Sequence, residues 1–379
     1  MHSQIVLTKR LSKYVEDYKL LVDEQNGFRS ARSCIDHIYV LCTVLRNRLA
    51  QNKDTFCCFI DFFKAFDSIN RGQLLFRLSQ IGIFGKFYFA ISSMYSNPKS
   101  KIILREFETE FFDCPVGLKQ GSSESPILFA IYVNSLAEEI KATNIGIRIS
   151  WEGDNLNNSD NLDNSGNEMS ELINILLYCD DIVILTENEE DLQYLLIIVE
   201  NWCRKWQLEV NLSKTNILHV RRKNKNQSRF VFLFNKRPLE YCHSYKYLGT
   251  TLNCHLDYAF TLNILAESAS RALGSIVCKM IKNGGFPYKV FTLLVDCCVN
   301  SILDYAGEVF GFKDYNIADN IYLRAARVFM GLPRNAPKQG IISEINWLLP
   351  NYRTKIKMIK YYNKIIKLDD SRLLKKVLL

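Results

Sequence analysis

Three aspartates carry the strongest chemical signal in this chain. Asp180 and Asp181 are adjacent, with apolar segments on either side, Leu172 to Tyr178 before them and Ile182 to Leu185 after. That pattern predicts two strands joined by a tight turn with two carboxylates at its tip. Neighbouring carboxylates repel each other unless cations neutralise them. Hard oxygen donors suit Mg²⁺, which takes one or two carboxylates and fills its remaining positions with water and substrate phosphates. A third acid, Asp61, ends the apolar run that starts at Thr55. On a neighbouring strand, about 4.8 Å away, it completes a set able to hold two metal ions about 3.5–4 Å apart. One ion would activate a 3′-hydroxyl and the other would stabilise leaving pyrophosphate, so metal-assisted phosphoryl transfer is the expected chemistry.

The elements that must position these acids are legible on both sides of them. Leu11, Tyr14, Val15, Tyr18 and Val22 recur at helical spacing, and the turn Gln25-Asn26-Gly27 interrupts them. Ser33 and Asp36 match a capping box ahead of a second helix whose face is Ile35, Ile38, Cys42, Leu45 and Leu49. Helices are predicted near 73–81 and 86–95, followed by a hairpin of Lys101 to Leu104 against Phe107 to Phe112. Ser125-Pro126 should start a helix running to about Lys141, with the Ser125 hydroxyl as N-cap. A helix over 189–206 and strands near 215–221, 229–234 and 245–252 follow. Residues 152–170 are crowded with Asn, Asp, Ser and Gly and read as a mobile surface insertion. Beyond Asp257 helical faces replace strand signals, which places the main domain boundary near 255.

Composition narrows the class. With 48% hydrophobic and 23% charged residues in 379, the chain is an ordinary globular protein with enough apolar mass for two or three cores. Its net charge of +8 suits a polyanionic partner without requiring one. The densest basic run, Arg221 to Lys225 around Asn224, reads as a solvated hairpin tip. Twelve cysteines without a CxxC pair or an apolar leader point to reduced thiols and an intracellular location, nuclear or cytoplasmic. Cys242-His243 and Cys254-His255 contain zinc-ligand types, yet neighbours on an extended chain face opposite ways, so no zinc is expected there. No apolar run is long enough to span a membrane.

Six blocks, in order, resemble the reverse transcriptases of non-LTR retrotransposons of the jockey-like and RTE-like LINE groups. They are Gln25 to Arg29, Phe59-Ile60-Asp61 through Lys64-Ala65-Phe66-Asp67, Gly117 to Gly121 with Ser125-Pro126, Tyr178-Cys179-Asp180-Asp181, Asn211 to Thr215, and Tyr247-Leu248-Gly249. Tyr305 to Glu308 and Gly331-Leu332-Pro333 resemble the family's thumb. The resemblance implies an α+β right-hand polymerase fold, an antiparallel palm sheet backed by helices and followed by an all-helical thumb-like region. Fingers and palm would occupy 1–255, with fingers at about 1–54 and 71–115, and the thumb-like region 256–379.

The same resemblance assigns roles. Asp61, Asp180 and Asp181 become the triad for two Mg²⁺ ions, with Mn²⁺ as a substitute. Phe66 becomes the steric gate against the 2′-hydroxyl, so dNTPs are the expected substrates, with an RNA template and a DNA primer as partners. Gln120 and Gly121 would meet nucleotide and template base, Arg29 and Arg32 would clamp the triphosphate, and Lys214 would protonate departing pyrophosphate. Asp67 is expected to be a cap or salt-bridge partner. The sequence departs from the pattern at Cys179, where relatives often carry alanine, and at its shortened front end. With no endonuclease segment before the polymerase blocks and no Cys/His knuckle after them, a fragment or decayed copy is expected. The competing function is a nucleic-acid-binding remnant without catalysis. A template-independent nucleotidyltransferase would leave the Gln25–Arg29 and Gln120-Gly121 blocks unexplained.

Overall fold

The computed structural model describes residues 2–105, 107–150 and 170–378, so the segment 152–170 lies outside the described residues except for Ser170. The chain divides into two compact units, Met1–His37 with Asn52–Cys242, and Ile38–Gln51 with His243–Leu379.

A five-stranded sheet organises the first unit. Its strands are β1 (Thr55–Ile60), β2 (Ile175–Tyr178), β3 (Asp181–Thr186), β4 (Asn216–Val220) and β5 (Glu240–Tyr241), in the spatial order β5-β4-β1-β3-β2. All neighbours pair antiparallel except β4 with β5. β1 is central and buried along its whole length, which is why it reads as a continuous apolar run rather than an alternating one. The single strand expected over Leu172–Tyr178 is interrupted. Ser170–Ile173 pairs with Ile147–Ser150, and only β2 joins the main sheet. Between them, buried Asn174 donates its side-chain amide to the carbonyls of Ile140 and Ile145, fixing the chain where it changes partner.

Helices cover this sheet. Ser125–Ala142 is apolar on every side from Ile127 to Val133 and is buried as far as Ala137, its buried Asn134 and Ser135 being hydrogen-bonded. Glu189–Trp206 buries one face, through Leu192, Leu195, Leu196, Val199, Trp202 and Trp206, and the Trp202 indole donates to Ser135 Oγ at 2.9 Å. The expected capping box forms, Ser33 N–H donating to Asp36 Oδ2 and Asp36 N–H to Ser33 Oγ. Ser125 departs from its expected role as N-cap. Glu124 occupies that position, and the Ser125 hydroxyl donates to the Lys119 carbonyl at 2.7 Å, tying down the loop that carries Gln120 and Gly121. Arg221 to Lys225 is likewise no free tip, since Arg221 donates to the His219 carbonyl and Lys225 pairs with Asp54 at 2.8 Å.

The second unit is mainly helical, with a hairpin of β6 (Ser244–Tyr247) and β7 (Thr250–Asn253) before the long helix Tyr258–Lys282. Leu273, Phe291, Tyr322 and Trp347 are among its core residues. Tyr305 donates its hydroxyl to the Leu248 carbonyl at the hairpin tip, and Gly249, with φ +83°, leaves room for the tyrosine ring. The two blocks around Leu248 and Tyr305, distant in sequence, therefore meet. Among the described residues no helix is long and apolar enough to cross a membrane.

The geometry corrects one expectation about the cysteine–histidine pairs. Cys254 and His255 lie past the end of β7 in a turn, where the opposite-faces rule for extended chain does not apply. Ligand atoms of His243, Cys254 and His255 all lie within 4.8 Å of one another. Cys242 belongs to the first unit, its N–H donating to the Ile217 carbonyl.

Candidate active site

The two-acid turn forms as a tight hairpin between β2 and β3, closed by the Tyr178–Asp181 pair. Cys179 takes the left-handed conformation, φ +63°, which strains a non-glycine residue but turns the chain within two residues. Because Ile60 pairs with Ile182, Asp61 leaves β1 directly beside Asp181. Asp61, Asp180 and Asp181 thus converge at one end of the sheet.

Asp181 feels this convergence. Lost hydration at the tip pushes its carboxyl up from 3.8 to about 6, the charges of Asp180 and Asp61 push the same way, and Lys214 opposes them. The native chain therefore holds more protons than the unfolded chain between pH 3.8 and about 6, so stability falls as pH rises through that window. Without divalent cations, Asp181→Asn is expected to melt above the unaltered chain at about pH 7.5, with the gap closing at about pH 3.5. Identical melting curves at the higher pH would count against this electrostatic picture.

Asp61 is held from a third direction. Asn211 Nδ2 donates to its Oδ2 at 3.1 Å, Asn211 N–H donates to its carbonyl at 2.7 Å, and Asp61 N–H donates to Thr215 Oγ1 at 3.3 Å. Lys214 brings its ammonium to 3.7 Å from the same Oδ2 while its side chain stays 67% exposed. Sequence reasoning recognised the Asn211–Thr215 block but missed Asn211 as the residue that orients Asp61. Its signal, an amide three residues before a lysine, is too common to be specific. Asn211→Ala is expected to free the Asp61 carboxylate and, if Mg²⁺ binds at the three acids, to weaken that binding about 10-fold in a calorimetric titration, as loss of a ligand-orienting partner does. A titration unchanged from the parent would remove Asn211 from this role.

The remaining predicted residues separate into two groups. Phe66 is half-buried and stacked on Phe129, ring centres 4.5 Å apart at 18°. Its carbonyl accepts from Leu118 N–H, and Asp67 Oδ1 accepts from Gln120 Nε2 at 3.0 Å, so the Phe66 and Gln120 segments are joined. Gly117, φ +86°, permits this, since a Cβ there would stand 2.6 Å from the Asp67 carbonyl oxygen. Arg71, not singled out in the sequence, clamps the same loop by donating to the carbonyls of Cys114, Val116 and Gly117. Gly121 is exposed with φ +78° and borders a cavity of about 690 Å³ together with Gln120 and Asp67.

Arg29 and Arg32 form the second group, and their guanidinium groups are engaged inside the protein rather than presented to a triphosphate. Arg29 makes a two-pronged pair with Glu16, both contacts 2.7 Å, and donates to the carbonyls of Val22 and Gln25. Arg32 pairs with Asp23 at 2.7 Å and donates to Asn26 Oδ1. Both side chains are at most 5% exposed. They brace the Gln25–Gly27 turn, which itself lies against β2. Leu177 N–H donates to the Glu24 carbonyl and Asn26 N–H to the Leu177 carbonyl.

Three carboxylates at one sheet end with a lysine beside one of them are a donor set suited to divalent cations and phosphoryl transfer. The chain belongs to the reverse transcriptase (RNA-dependent DNA polymerase) family, whose pattern it matches over residues 3–252. It is similar to the RNA-directed DNA polymerase from mobile element jockey of Drosophila funebris, 22% identical over 80% of this chain and 30% of that protein. It is also similar to the Pol polyprotein of the type-1 retrotransposable element R2 of Nasonia vitripennis, 22% identical over 68% of this chain and 24% of that one. The chain thus spans about a third or less of these relatives, which are non-LTR retrotransposon proteins. Among solved structures, apo telomerase from Candida tropicalis aligns over 98% of this chain and 60% of its own, at 12% identity and TM-score 0.44.

Proposed function

We propose that this chain is an RNA-directed DNA polymerase that adds dNTPs to a DNA primer 3′-hydroxyl on an RNA template. The observation that carries the reading is the convergence of Asp61, Asp180 and Asp181 at one end of the sheet, with Lys214 at 3.7 Å from Asp61. These aspartates are the residues to hold two Mg²⁺ ions, or Mn²⁺ in their place. The fit is electrostatic: lost hydration, and after it the charges of Asp180 and Asp61, push the Asp181 carboxyl up, and bound positive charge offsets both. Bound there, the cations lower the pKa of the attacking hydroxyl and neutralise charge on the phosphates.

The chain's own groups do the rest. Asn211 orients Asp61. Lys214 gives a proton to departing pyrophosphate. Phe66, braced by Phe129, fills the space a 2′-hydroxyl would need. Gln120 and Gly121 meet nucleotide and template base, where an amide can bond and glycine allows close approach. Arg29 and Arg32, paired with Glu16 and Asp23, act as positioning residues for the Gln25–Gly27 turn. In domain language, residues 1–255 supply fingers and palm and 256–379 a thumb-like region. The chain's similarity to RNA-directed DNA polymerases and Pol polyproteins of mobile elements supports this reading.

Purified chain should extend a DNA primer annealed to RNA with Mg²⁺ and dNTPs, and EDTA should stop it. A folded chain that binds primer-template yet extends nothing with Mg²⁺ or Mn²⁺ would make it a binding remnant. Phe66→Val is expected to increase ribonucleotide incorporation relative to dNTPs by about 100-fold, the scale of a steric discrimination. An unaltered dNTP preference would show that Phe66 is not the gate.

A further inference from the structure

Away from the carboxylates, one cluster in the second unit has the make-up of a different metal centre. His243 and Cys254 face each other at the open end of the β6–β7 hairpin, one step past the Ser244–Asn253 pair, with Cys254 N–H donating to the His243 carbonyl at 2.9 Å. Asn253 then turns the chain, its Oδ1 accepting from His255 N–H at 3.2 Å and from Asp257 N–H at 2.8 Å. The turn brings the His255 ring edge-on to His243, centres 6.0 Å apart at 82°. One thiol and two imidazoles therefore offer ligand atoms all within 4.8 Å of one another. Cys254 is 2% exposed and His243 is exposed, so the sulfur forms the floor and an imidazole the rim.

We propose that His243, Cys254 and His255 bind a zinc-class divalent cation, separate from the ions of the carboxylate site. A thiolate with two imidazoles is a donor set that borderline-soft Zn²⁺ favours and hard Mg²⁺ does not. With Zn–S near 2.3 Å and Zn–N near 2.0 Å, tetrahedral ligand atoms stand roughly 3.3–3.8 Å apart, a closure that side-chain rotation can supply. Three protein ligands leave a fourth position for water or another donor. The site's place defines its effect. It closes the open end of the hairpin immediately before Asp257, whose carboxylate caps the Tyr258–Lys282 helix by accepting from Ala259 N–H. A cation there pins two chain segments 11 residues apart to the start of the unit's longest helix.

The test uses the full chain, reduced and kept anaerobic, with the exposed thiols Cys278, Cys297 and Cys298 changed to Ser so that they cannot collect metal. Titration with Co²⁺ should give one equivalent with tetrahedral visible absorption and thiolate-to-metal charge transfer, and Zn²⁺ should displace it. Cys254→Ser should abolish the charge-transfer band, and His243→Ala or His255→Ala should each weaken binding by about 100-fold. Zn²⁺ should also raise the melting temperature of this protein and not of the Cys254→Ser variant. X-ray absorption of the zinc-loaded, otherwise unaltered site keeps the idea open to refutation if a variant misfolds, and should show one sulfur and at least two nitrogen neighbours. Absence of tight Co²⁺ binding, a sulfur-free shell, or binding indifferent to Cys254 would overturn the proposal.

Discussion

Changing any one of Asp61, Asp180 and Asp181 to Asn is expected to lower primer extension by at least about 10³-fold, equivalent to roughly 4 kcal/mol of transition-state stabilisation. Asn has nearly the size of Asp, so the hairpin should form and primer-template binding should persist, because nucleic-acid affinity generally rests on phosphate contacts made by basic groups and not on carboxylates. What is lost is charge. Each carboxylate contributes a full negative charge to a site whose proposed partners are divalent cations and phosphates, and an amide contributes only a dipole. The three substitutions should nevertheless differ in stability. Asp181→Asn removes the cost of holding a charge where lost hydration first, and the charges of Asp180 and Asp61 second, raise the carboxyl pKa to about 6. Asp61→Asn exchanges a charged acceptor for a neutral one facing Asn211 and Lys214. Single-turnover extension beside circular dichroism and fluorescence anisotropy with primer-template makes the comparison. Extension within tenfold of the parent at any of the three positions would remove that residue from the metal-binding set.

Gly27→Ala should also be strongly damaging, although Gly27 bears no chemistry. A Cβ there would stand 2.4 Å from Cys179 N and 3.1 Å from the Tyr178 carbonyl carbon, both backbone atoms of the two-acid turn. Neither side can yield freely. Glu24 and Asn26 are hydrogen-bonded to Leu177 on one side, and β2 and β3 are paired with their neighbours on the other. Overpacking of this kind costs about 1–3 kcal/mol of stability. The larger effect is on Asp180, which the displaced turn would carry out of register with Asp61. A misplacement of about 1 Å in a catalytic group can cost on the order of 10²-fold, and a loss of that size in extension rate is expected here. It should come with a lowered melting temperature and little change in template affinity. A variant retaining half the parent rate would mean that the contact relaxes without moving the acids.

The convergence of the three acids was largely readable before folding. Two acids between two apolar runs can hardly form anything except a carboxylate-tipped hairpin, and a strand as uniformly apolar as Thr55–Ile60 must be central. The Ser125–Ala142 helix was legible for a related reason, since Pro126 marks its start and the apolar sequence predicts burial. Less was readable where a residue's type is compatible with opposite fates. Arginine looks the same in sequence whether its guanidinium faces a phosphate or, as for Arg29 and Arg32, is spent on Glu16 and Asp23. Ser125 has the hydroxyl of an N-cap and uses it on the Lys119 carbonyl.

The sequence by itself determined which acids, aromatics and lysines are present, and that apolar strands must bring the acids to element ends. Only the tertiary structure decided who holds them. Asn211 meets Asp61 across 150 positions, and Gly27 meets Cys179 across a similar span. The cysteine–histidine cluster shows the same division at shorter range. Its residue types were visible, but the rule used to dismiss it assumed extended chain, and a turn built by Asn253 brought His255 back beside His243. Residue type and local period act through nearest neighbours along the chain. Contacts between distant segments depend on how whole elements pack, and no local pattern encodes that.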